Sequence, residues 1–236
     1  VIVKNRVEEI RAGATVFGRD AKGGYDAKVT GINNAGAVKG ALMLERLVKE
    51  GLMPAGAKYP DMESQFAAGK TALMINGPWA WDNVKKAKID FAVAPVPAVV
   101  PGLPSKPFVG VLGCMITAPS KLKDIGREFI ENHLLKIDSL KTISADVALG
   151  TPANKAYFAE LSSDPNIAAT MANARAGEPI PNIPEMGRVW PAVDAALEAI
   201  TQGRQSPKEA LDGAAAALDV RVVRREHAHL RARLFG

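Results

Sequence analysis

Flat aromatic side chains set beside polar ones are the best candidates for chemistry in this 236-residue sequence, and they are few: three tryptophans, three tyrosines and seven phenylalanines. Trp79 and Trp81 fall in Asn76-Gly77-Pro78-Trp79-Ala80-Trp81. Trp190 ends Asn182-Ile183-Pro184-Glu185-Met186-Gly187-Arg188-Val189-Trp190. Both segments place a rigid proline ahead of a helix with tryptophan in its early turns. Tryptophan is commonly core filler, but near a helix start, beside glycine and proline, it is placed to line a cleft. An indole face there suits the apolar C–H face of a sugar ring, with polar neighbours left to hold the hydroxyls. Trp79 and Trp81, two residues apart on a helical turn, point in different directions, so one is expected in the core and the other exposed.

Other chemistries find little support. Ala68-Gly69-Lys70-Thr71 has the tail of a phosphate loop, but position 64 is serine where that loop needs glycine. The segment also closes a predicted helix and opens a strand, the reverse of the order a phosphate loop requires. There is no G-x-S-x-G elbow. His227 and His229 lie beside Glu226 in an arginine-rich tail and do not match H-E-x-x-H, so a solvated tail is expected rather than a metal site. His133 falls on a predicted amphipathic helix without a nucleophile in its context, and no glutamate pair stands out as an acid/base couple. Cys114 is the only cysteine, and its neighbours Val111, Leu112, Met115 and Ile116 predict a buried strand thiol. No cofactor is expected.

The elements that must position the tryptophans follow from periodicity. Val38, Ala41, Leu42, Leu44, Leu47 and Val48 fall at helical spacing over 34–49, with Asn33 or Asn34 as cap and Gly51 as terminator. A short helix is expected over 60–68 with Phe66 inward, then a buried strand at 72–75, a helix from Pro78 to about residue 86, and a strand at 89–94. Five prolines crowd residues 95–107, which therefore read as a loop or hinge-like connection. A third strand is expected at 108–117. Helices then follow at 121–134, 137–146, 154–161, 165–175, 185–201 and 207–218. Asp164-Pro165 offers a cap followed by proline at the first helical position, and Ser206-Pro207-Lys208-Glu209 fits a capping box. Three strands are few for a sheet sandwiched between helices, a sign that part of the sheet is absent from the chain.

Composition sets outer bounds. The 47% apolar and 23% charged residues are ordinary for a globular protein with a real core. No stretch reaches the roughly 18 apolar residues of a membrane span. The N-terminus lacks the charged start and long apolar run of a secretory signal, so either the signal has been removed or the chain does not begin where a full gene product would. Of the net +5, +3 falls in residues 219–236 and +1 in residues 1–11, which leaves +1 for 12–218. A nearly neutral body with basic ends is not a nucleic-acid face.

Three collinear stretches carry a family resemblance: 75–81 around Trp79, Pro104-Ser105-Lys106-Pro107-Phe108-Val109-Gly110-Val111-Leu112, and 164–171 continuing to 177–184. Weaker support comes from Gly24-Tyr25, 34–37 and 203–205. Over about 13–218 the sequence resembles the maltose/maltodextrin-binding proteins of ABC importers. The resemblance implies an α/β fold of the type II periplasmic-binding-protein kind, incomplete, helix-rich and with a short sheet. It implies a C-terminal sugar-binding lobe from residues 12–113 and 165–218, an N-terminal-lobe segment at 114–164, and unrelated ends at 1–11 and 219–236. Stacking aromatics of the family fall at Tyr59, Trp79 and Trp190. Pro191 and Asp194 stand where members carry a tyrosine and an arginine, and nothing matches the family's first half. The expectations are a non-enzymatic maltose/maltodextrin carrier in the periplasm, serving ABC importer permease subunits, weakened by truncation and able to self-associate through an exposed sheet edge. The alternative is a degenerate or repurposed fragment without a transport role.

Overall fold

The computed structural model describes residues 2–3, 15–98 and 105–218. In chain order the first elements are β1 (Ile2–Val3), β2 (Gly18–Arg19), β3 (Tyr25–Asp26), α1 (Ala35–Lys49), α2 (Tyr59–Ala67) and β4 (Met74–Ile75). A 3-10 turn (Pro78–Ala80) leads into α3 (Trp81–Lys86), followed by β5 (Phe108–Val109) and α4 (Lys123–Phe129). A π turn (Ile130–Leu134) then leads to α5 (Ile137–Asp146), α6 (Lys155–Leu161), α7 (Pro165–Ala176), β6 (Glu178–Pro179), α8 (Met186–Thr201) and α9 (Pro207–Leu218). The strands form three separate pairs: β1 with β4 parallel, β2 with β3 antiparallel, and β5 with β6 parallel. The chain is thus helix-rich with only short sheets.

Helices form where local signals agree. Asn34 Oδ1 accepts the Ala37 N–H at 2.9 Å to start α1. The Asp164 carboxylate accepts from Asn166 and Ile167 N–H at 2.8 and 3.1 Å to start α7. At α9 the predicted box is closed both ways: Ser206 N–H donates to Glu209 Oε2 at 3.1 Å, and Glu209 N–H donates to Ser206 Oγ at 3.4 Å. The Ser206 hydroxyl, and then its N–H, hold the Glu209 carboxyl below its ordinary range.

One core joins α1, α8 and α9. Val189, Val193, Leu197 and Ile200 form the inward stripe of α8, Ala210, Leu211, Ala214 and Leu218 that of α9, and Ala37, Ala41 and Leu44 that of α1. Val16, Phe17, Ile32 and Met53 complete it. Asp212 Oδ1 accepts from Asn33 Nδ2 at 2.8 Å and from Lys208 Nζ at 2.6 Å, tying the approach to α1 onto α9. Lys208 first, then Asn33, lower the Asp212 carboxyl from its ordinary range.

The strand expectations need correction. Only Met74–Ile75 of 72–75 is strand. Residues 89–94 form no ladder. Val93 N–H donates to Asn166 Oδ1 and Val96 N–H to Asn173 Oδ1, both at 2.9 Å, while Asn173 Nδ2 donates to the Ala94 carbonyl at 3.2 Å. Two asparagines seven residues apart share one face of α7, so their amides replace a neighbouring strand. Of 108–117 only Phe108–Val109 pairs. Beyond it Val111 is 77%, Leu112 95% and Met115 91% exposed. Cys114 is exposed, not buried, because the run around it has no layer to pack on. The helix expected at 121–134 breaks into α4 and the π turn. His133 lies in that turn, exposed and stacked on Phe129 at 6.3 Å. None of residues 111–147 is buried. His227, His229 and the arginine-rich tail, residues 1 and 4–11, and part of the proline-rich connection lie outside the described residues.

An apolar face of this kind is expected to drive self-association. In size-exclusion chromatography the chain should elute as oligomers or aggregates, and a double Leu112→Lys, Met115→Lys variant should shift toward monomer. A wild-type chain that runs as a compact monomer at high concentration contradicts this.

Candidate functional site

The turn carrying Trp79 is fixed by its own backbone and by two neighbours. Strand β4 delivers the chain to Asn76, and Gly77 continues it extended, at φ −113° and ψ 177°. Pro78 then opens the 3-10 turn, whose Ala80 is 1% exposed and pins it to the interior. The indole of Trp79 folds back over Gly77: a Cβ there would lie 2.2 Å from the ring. The ring is nevertheless 50% exposed. Trp81 is half-buried against Phe91, ring centroids 6.5 Å apart, so the two tryptophans separate into an exposed and an inward one as their spacing predicts. From the other side comes the segment before α6. Ala148 N–H donates to Asp82 Oδ2 at 3.0 Å, and a Cβ on Gly150 would fall 2.5 Å from Pro78 Cγ.

Tyr59 joins this group through Asn76. It opens α2, and its hydroxyl donates to Glu63 Oε1 one turn later. Asn76 Nδ2 lies 3.3 Å from Glu63 Oε1 and 3.4 Å from the Tyr59 oxygen, while Asn76 Oδ1 accepts the Gly77 N–H at 2.9 Å. Tyr59, Glu63, Asn76, Gly77 and Trp79 thus form one connected set: a phenol, a carboxylate and an amide joined by hydrogen bonds, linked through Gly77 to the indole. Glu63 and Asn76 were not singled out from sequence. The available signal was the four-residue spacing of Tyr59 and Glu63, which puts them on one helix face.

Trp190 is anchored separately. It stands on α8, 37% exposed, with its ring edge-to-face against Phe108 at 5.9 Å and 71°. Pro191 sits inside α8 and has no N–H for the helical ladder, and Asp194 is exposed. Two small cavities, of about 320 and 70 Å³, are lined by other residues. The smaller has Arg19 over the Tyr25 ring at 3.9 Å and paired with Glu178 at 3.2 Å. Lys70 is exposed at the end of α2, ahead of β4, so the element order there is the reverse of a phosphate loop's. Among the described residues no three histidines, cysteines or carboxylates group as metal ligands, and no helix is long and apolar enough to cross a membrane.

Residues 11–170 match the family of bacterial extracellular solute-binding proteins. The chain belongs to that family. A galactooligosaccharide-binding protein of Bacillus subtilis (strain 168) is 33% identical over 219 residues, covering 86% of this chain and 49% of that protein. The maltodextrin-binding protein MdxE of the same organism is 27% identical over 212 residues, again 86% and 49%. A maltooligosaccharide ABC transporter solute-binding lipoprotein of Streptococcus pneumoniae (strain ATCC BAA-255 / R6) is 29% identical over 210 residues, 86% and 48%. The chain spans about half the length of the curated relatives it matches. The family match takes in Tyr59, Glu63, Asn76, Gly77 and Trp79, and ends before Trp190.

The dependence of the indole on Gly77 is testable. Gly77→Ala puts a methyl where the ring lies and is expected to swing Trp79 away, at a cost of about 1–3 kcal/mol in stability. Tryptophan emission should shift while far-ultraviolet circular dichroism holds. An unchanged emission spectrum contradicts the placement.

Proposed function

We propose that the chain captures an oligosaccharide without transforming it, as part of the sugar-binding component of an ABC importer. The observation that carries this reading is the half-exposed indole of Trp79 laid over Gly77, which Asn76 joins to Tyr59 and Glu63. An aromatic face takes the apolar side of a pyranose, and the phenol, carboxylate and amide take its hydroxyls. Trp190 supplies a further stacking face in this reading, Tyr59 works with Trp79, and residues 12–113 with 165–218 serve as the sugar-binding lobe. Malto-oligosaccharides are the proposed ligands, from the resemblance and from the names of two relatives. The 33% identity to a galactooligosaccharide-binding protein makes galactosyl oligosaccharides the second candidate. Hand-over to membrane permease subunits and a periplasmic place complete the reading, supported by the family and by a relative named as an ABC transporter lipoprotein. A fragment that has lost transport is the competing reading.

Ligand-observed NMR with maltotriose and β-1,4-galactotriose tests the reading. Saturable binding of either sugar that is lost in Trp79→Ala supports it. Binding that is indifferent to Trp79, or no binding up to roughly 100 mM, well beyond the millimolar range, rejects it.

A further inference from the structure

We propose that Glu63, oriented by Asn76, is a specificity-determining residue of the Trp79 platform, accepting hydrogen bonds from hydroxyls of the sugar ring stacked there; this rests on the oligosaccharide reading above. The Tyr59 hydroxyl and Asn76 Nδ2 both bond to Glu63 Oε1. Both of these bonds fall on Oε1, and Oε2 is not one of the buried unpaired atoms, so it is solvent-accessible and open to a further donor. An ionised carboxylate offers about four lone-pair sites and no proton, which suits a donor such as a sugar hydroxyl. Bonds to charged acceptors are also stronger than neutral ones.

The carboxylate is held in place relative to the indole. Asn76 is bonded at both ends, its oxygen to the Gly77 N–H and its nitrogen to Glu63, and this fixes which way the amide points. The indole lies on the same Gly77. Two hydrogen bonds thus link the carboxylate through Asn76 to Gly77, the residue the indole lies on, and little ordering is left for ligand binding to supply. A fixed acceptor beside a stacking face reads hydroxyl orientation, the property in which glucosyl and galactosyl rings differ.

Glu63→Gln keeps the size of the side chain and an acceptor for Tyr59 but removes the charge. Bonds of hydroxyls to charged groups set the scale, so the expected loss of affinity is roughly tenfold to a hundredfold. The full chain, Glu63→Gln and Trp79→Ala are titrated by ligand-observed NMR with whichever of maltotriose and β-1,4-galactotriose binds tighter, and with analogues of it in which single hydroxyls are replaced by hydrogen. The expected result is a large loss in Glu63→Gln that shrinks below about twofold for the analogue lacking the hydroxyl it reads, as a double-mutant cycle requires. Equal weakening for every analogue overturns the proposal, because it marks a structural role. Unchanged affinity in Glu63→Gln with loss in Trp79→Ala also overturns it while leaving the platform standing. Binding indifferent to Trp79, or absent altogether, removes the platform itself and the proposal with it. Matching thermal melts of the three proteins confirm that folding does not enter.

Discussion

Leu197→Ala is expected to destabilise the chain by about 2–5 kcal/mol, enough to consume much of the stability of an ordinary domain. Leu197 is 0% exposed, and it shares one core with Leu44 of α1 and Leu211 of α9. Helix α8 is held on two sides, so it cannot shift toward one neighbour to fill the gap without opening the other. The loss falls on a chain whose residues 111–147 add no buried residue to offset it. Urea unfolding followed by circular dichroism gives the number, and Leu112→Ala is the control. Leu112 is 95% exposed, and its truncation should change stability by no more than about 0.5 kcal/mol. A Leu197→Ala effect as small as the control's contradicts the assignment of the core.

The other large effect is on affinity. A stacked aromatic contributes roughly 0.5–1.5 kcal/mol beyond its area, so the three proposed platforms, Tyr59, Trp79 and Trp190, would together supply about 1.5–4.5 kcal/mol. That is near or below millimolar affinity, which corresponds to about −4 kcal/mol. The carboxylate and amide beside Trp79 add to this, but a one-sided site stays open to water. Fusing the chain to the part of the galactooligosaccharide-binding relative that it does not match is expected to tighten oligosaccharide binding by on the order of a thousandfold, into the micromolar range. The added half would supply opposing hydroxyl contacts and exclude solvent on closure. Calorimetric titration of the two proteins compares them directly. A low-micromolar midpoint for the chain alone, or no gain on fusion, defeats the argument.

The helices were legible because their signals are local. Asp164-Pro165, the Ser206–Glu209 box and Asn34 each act within three or four residues, and the observed starts fall within about two residues of those expected. Strands are commitments to a partner elsewhere. Phe108-Val109 is strand because Glu178-Pro179, some seventy residues on, lies alongside. The equally apolar Val111 and Leu112 meet nothing, and Cys114 is left in solvent with them. Nothing in 89–94 announces that its partners would be Asn166 and Asn173. The candidate site divides the same way. The proline-led turn marked Trp79, and the spacing to Trp81 predicted one open and one inward ring without saying which. The roles of Glu63 and Asn76 depend on α2 lying beside the end of β4, which no local pattern states. The partnership of Trp190 with Phe108 is likewise a long-range event.

Asp82 holds Ala148, and Gly150 nests against Pro78. Residues 111–147, with α4 and α5, thus form an exposed excursion whose far end is fastened to the base of the Trp79 turn. The residues this segment touches at that end, Asp82 and Pro78, are the two that flank the Trp79 turn. The bare flank and the exposed ring therefore share one anchorage in the fold.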